Sequence, residues 1–66
     1  MILFEIALEM DREKLPPLFI VSAVRAALDL EGVADLMKLW RDEEDQEEKN
    51  EIIADIKDML DAYFQK

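Results

Sequence analysis

Cysteine and histidine are both absent from this 66-residue chain, and glycine occurs only once. Without cysteine there is no disulfide and no thiolate zinc site, and without histidine there is no imidazole ligand. Ser22 is the one hydroxyl besides Tyr63, so the common nucleophilic triads cannot be assembled. The chain is therefore read as a non-enzyme with no cofactor and no metal. Long uninterrupted apolar runs are missing too. The opening Met1-Ile2-Leu3-Phe4-Glu5-Ile6-Ala7-Leu8-Glu9 has no basic flank and is broken by acids, which fits neither a secretory signal nor a membrane span. A cytoplasmic location is the expectation.

What is present is acid and apolar bulk. Seventeen acids face eight bases, a net charge of −9, and 52% of residues are hydrophobic. Such a charge repels nucleic acid phosphates and anionic membrane surfaces, so neither is an expected partner. Sixty-six residues make a single domain, read as 1–66, near the lower limit of length for folding alone. With disulfides and metals excluded, the remaining supports are well-packed helices or oligomerisation.

Four segments emerge. Residues 2–14, read as a helix, put Glu5, Glu9, Arg12 and Glu13 on one face and leave an apolar arc of about 240°, wider than one core contact requires. As a strand, Ile2, Phe4, Ile6, Leu8 and Met10 alternate with the rest. Helix-forming Ala, Leu, Glu and Met favour the helix, and a lone strand would need a partner from another chain. The residues before Pro16 and Pro17 are pushed out of helical geometry, ending this element by about Lys14. Pro17 then suits the first position of a second helix. That helix, Pro17 to Glu31, is apolar nearly all round apart from Ser22, Arg25 and Asp29, the pattern of a buried central helix. Gly32 reads as its left-handed C-terminal cap.

A third helix follows to about Asp42, with Val33, Leu36, Met37 and Trp40 inward and Leu39 partly exposed. Residues 41–50 carry no apolar side chain and contain a short linker. Asp45 with Glu48, or Asn50 alone, can cap the last helix. There Ile52, Ile53, Ile56, Met59, Leu60, Tyr63 and Phe64 form a stripe about 140° wide.

The acidic stretch Asp42 to Glu48 lacks the central glycine of an EF-hand loop and reads as a solvated, capping linker. Glu43-Glu44-x-x-Glu47 with Glu51 and Asp55 superficially resembles the acidic helix pair of MazG-type nucleotide pyrophosphohydrolases, whose carboxylates hold magnesium over a diphosphate. It departs from that family in spacing, since the family's two acidic motifs lie on separate, well-separated helices. Glu5, Glu9 and Glu13 form a ladder that, in a bundle di-iron site, would be joined by a Glu-x-x-His; here it reads as a solvated face. Residues 28–36 with Gly32 resemble a helix-turn-helix, but Asp35, Asp42 and Glu43 have the wrong charge for a major groove. The element order also resembles the ribbon-helix-helix dimers, and of that likeness only the dimer logic fits. Arg25 and Asp29, four apart, read as a local ion pair at the core rim. Trp40, Tyr63 and Phe64 read as core before binding anchors.

The expectation is an all-α, three- or four-helix bundle completed by homodimerisation, or else a strand paired across a dimer and followed by helices. Its surplus apolar surface is placed on Met1, Phe4 and Leu8, with Leu39 as a lesser contributor. The expected role is a small protein–protein interaction module: a regulatory, adaptor or inhibitor protein working with a second copy or another protein. An acidic decoy for the basic surface of a toxin or nucleic-acid-binding protein is the alternative, and a metal-dependent hydrolase the weaker one.

Overall fold

A computed structural model describes residues 2–65. Four helices follow one another: α1 (Ile2–Arg12), α2 (Pro17–Ala27), α3 (Glu31–Asp42) and α4 (Gln46–Phe64). The first segment is thus a helix, and among the described residues there is no strand. The radius of gyration is 10.8 Å, which is what a 66-residue globule should show, about 11 Å.

The proline pair punctuates the chain as expected. The Lys14 N–H donates to the Asp11 carbonyl at 3.0 Å and the Leu15 N–H to the Met10 carbonyl at 3.1 Å. This is the paired bonding of a Schellman cap. The cap needs a left-handed residue, and Lys14 supplies it at φ 65°, where glycine would be unstrained. Pro17 then opens α2 at its first position, where the missing N–H costs nothing.

The next boundary differs from the sequence expectation. α2 stops at Ala27 rather than Glu31, the chain turns through residues 28–30, and Leu30 is the extended N-cap residue of α3. Gly32 therefore lies in the first turn of α3 and is not a left-handed cap; its φ is not positive. Its reason is a close approach: a Cβ there would meet Met59 Cε at 3.1 Å. With glycine there, the tip of the Met59 side chain of α4 can rest against α3. The acidic linker shrinks to 43–45 and bonds to its own backbone. Glu43 Oε1 accepts from the Glu44 and Asp45 N–H groups, and Asp45 Oδ2 accepts from the Glu48 N–H at 3.3 Å. Asp45, not Asn50, is the N-cap of α4.

α3 and α2 each pack against all three other helices. The core joins Leu3, Ile6 and Met10 of α1 to Val33, Met37 and Trp40 of α3 and Ile52, Ile56 and Leu60 of α4. α1 and α4 are linked by side chains. Lys49 Nζ sits 4.3 Å from the centre of the buried Trp40 ring and 2.8 Å from Glu13 Oε2. Its side chain is only 12% exposed, and a cation–π contact and an ion pair share its one ammonium.

Candidate apolar interface on the first two helices

α2 was expected to be buried all round. Instead it buries Ile20, Ala23, Ala26 and Ala27 and leaves Leu18, Val21 and Leu28 79%, 65% and 67% exposed. The physical reason is size. Alanines at i, i+3 and i+4 form a flat strip that lets neighbouring backbones approach closely. The large side chains, spaced three and seven apart, fall on the opposite face. α2 thus packs its three alanines and Ile20 inward, with Phe19 and Val24 partly buried beside them, and still carries Leu18, Val21 and Leu28 outside.

α1 continues this surface. Phe4 is 68% exposed, and Leu8, one turn on, is about half exposed. Phe4 and Ala7 of α1 face Ile20, Val21, Val24, Arg25 and Leu28 of α2 across an open groove of about 360 Å³. Arg25 and Leu28 also border an adjoining depression of about 300 Å³ with Asp29 and Tyr63. One apolar surface therefore runs from α1 across α2, with a small polar end.

Of the residues singled out from the sequence, Phe4 lines this groove, and Leu8 is exposed one turn further along α1 without lining it. Leu39 is exposed, at 53%, but it lies on α3 and does not line the groove. Met1 falls outside the described residues. The surplus apolar surface is thus not confined to the first dozen residues, because Leu18, Val21 and Leu28 carry a large share of it. Of the aromatics, Trp40 is core as expected and Tyr63 packs partly against it, whereas Phe64 is half exposed and meets Tyr63 edge to face at 4.8 Å.

The polar end is also rearranged. Because α2 ends at Ala27, Asp29 is no longer one helical turn from Arg25. It accepts the Tyr63 hydroxyl hydrogen at 2.7 Å instead, tying the end of α4 to the turn after α2. The bond to the Asp29 carboxylate holds the phenolic proton and, with some desolvation, raises the Tyr63 pKa above its ordinary value. A raised folded-state pKa means that this contact contributes below about pH 10 and is lost as pH climbs through the shifted value. Tyr63 is the one tyrosine, so ultraviolet titration of tyrosinate reads it alone. The midpoint is expected above about 10 and should fall back towards 10 in Asp29→Asn; identical midpoints would refute the bond.

The acids do not converge. Glu9 pairs with Arg12 at 3.3 Å and Glu13 with Lys49. Among the described residues no group of three acidic side chains is placed to hold a metal ion. No described helix is long and apolar enough to cross a membrane. Comparison with protein-family models, with curated proteins and with solved structures found no match to this chain.

Proposed function

We propose that the protein is a non-catalytic protein–protein interaction module that binds through the α1–α2 face. The observation that carries this reading is helix α2, which buries Ile20 and three alanines yet presents Leu18, Val21 and Leu28 to water. A monomer with no partner gains nothing from that arrangement, since the same residues rotated inward would stabilise the core at roughly 1.5–3 kcal/mol for each large side chain. A large aromatic side chain carries roughly 150–250 Å², and Leu and Val somewhat less. Phe4, Leu8, Leu18, Val21 and Leu28, exposed by about half to four-fifths, therefore present on the order of 500 Å², near the upper end for a monomer's largest patch.

Decoy binding through the acids of α4 is the competing reading, and the two use opposite sides of the sequence's chemistry. A photo-crosslinking residue placed at Val21, or at Asp55 on the polar face of α4, separates them in cells producing the protein. Adducts at position 21 that persist in about 1 M salt, where the Debye length is only about 3 Å, are expected. Adducts at position 55 alone, lost in that salt, would instead favour the decoy; adducts at neither position would overturn both.

A further inference from the structure

The occupant of the α1–α2 face follows from where the charge lies. Residues 1–30 hold five acids and three bases, a net −2, whereas residues 31–66 hold twelve acids and five bases, a net −7. From Pro17 to Leu28 the only charged side chain is Arg25, and it borders the groove at the end where Asp29 and Tyr63 lie. Along α2 a basic amphipathic helix would find no carboxylate to pair with, and on α1 it would find Glu5 and Asp11, three residues either side of Leu8. A nearly uncharged apolar surface would meet no penalty there. The chain carries one such surface, on itself.

We infer that a second copy of this chain covers the α1–α2 face, packing α1 and α2 of one protomer on α1 and α2 of the other in a two-fold dimer with Leu18, Val21, Leu28 and Phe4 in the seam. The inference rests on the reading of that face as the interaction surface. Area supports it independently of charge. A standard interface takes about 800 Å² from each partner, and in homodimers about 65% of it is apolar, so each protomer must supply roughly 500 Å² of apolar surface. The five exposed side chains supply about that amount. A two-fold contact uses the same patch twice, which suits a face that is apolar at its centre and holds its one cation at an end. The more acidic 31–66 half of each chain then lies away from the seam, and salt screens what repulsion is left. Dimer affinity should therefore hold or tighten as salt rises, opposite to binding driven by charge attraction.

Two measurements on the full chain decide. Sedimentation equilibrium at micromolar to millimolar concentration is expected to give twice the 7.7 kDa of one chain. Val21→Asp, and separately Leu18→Asp at the most exposed of these positions, should weaken dimerisation by about 100-fold or more while the helical circular dichroism stays unchanged. Because the chain has no cysteine, single-cysteine variants at positions 4, 8, 18, 21 and 28 can be oxidised to trap the seam. At least one should form a covalent dimer faster than the control Asp55→Cys. A single-chain mass throughout the range overturns the proposal. So does a dimer that Asp55→Cys traps fastest, or one that neither charged variant weakens. A single-chain mass combined with salt-resistant adducts of position 21 to other proteins removes the second copy yet leaves the interaction face standing.

Discussion

Trp40→Ala is expected to cost about 3–5 kcal/mol and to leave the chain largely unfolded at room temperature. A domain of this length holds on the order of 3–10 kcal/mol in total, so the loss is a large fraction of what there is. Trp40 is the largest of the fully buried side chains, at 1% exposure, and α3, which carries it, touches every other helix. Removing the indole also removes the ring under Lys49, leaving its ammonium paired with Glu13. Urea unfolding followed by circular dichroism should show the midpoint falling towards zero denaturant. A midpoint close to that of the unaltered chain would show that the core does not turn on this residue.

Enlarging the inner face of α2 should do comparable harm by the opposite route. Ala23 and Ala26 are wholly buried in the core. Ala26→Leu is expected to cost about 1–3 kcal/mol through overpacking, lowering the thermal midpoint by roughly 5–20 °C at about 4–8 °C per kcal/mol. Leu28→Ala, on the outer face, should change stability by no more than about 0.5 kcal/mol when measured at protein concentrations low enough that association adds nothing. The usual order is thus reversed within one helix: adding apolar bulk destabilises and removing it does not. Equal effects at positions 26 and 28 would mean that α2 is not oriented as described.

α3 and α4 were legible because each has polar residues on one side and apolar residues on the other, so the helical period alone assigns a face. Val33, Met37 and Trp40 follow directly from that spacing, whereas Leu3, Ile6 and Met10 did not, because α1's apolar arc of about 240° leaves its core side unassigned. α2 was not legible in the same way. Its apolar residues surround the axis, so periodicity carries no orientation, and the deciding variable is side-chain size. The signal was present in Ala23, Ala26 and Ala27, three small residues at helical neighbour spacing, and it points to close packing on their side. Gly32 misled for a related reason. Glycine serves both left-handed caps and close contacts, and here the contact is Met59, 27 positions away in a helix whose placement no local pattern reveals. The Asp29–Tyr63 bond was hidden likewise, because it depends on α2 stopping at Ala27. Of the interface, Phe4 and Leu8 could be read from α1's over-wide apolar arc, whereas Leu18, Val21 and Leu28 required knowing which side of α2 faces in.

The most direct measurement is a map of backbone amide chemical shifts as the isotope-labelled chain is diluted from millimolar to low micromolar concentration. Association through α1 and α2 predicts shifts that move together and cluster at residues 4–8 and 18–28, with α4's polar face unchanged. Shifts concentrated between 46 and 64, or none at any position over the whole range, would contradict it.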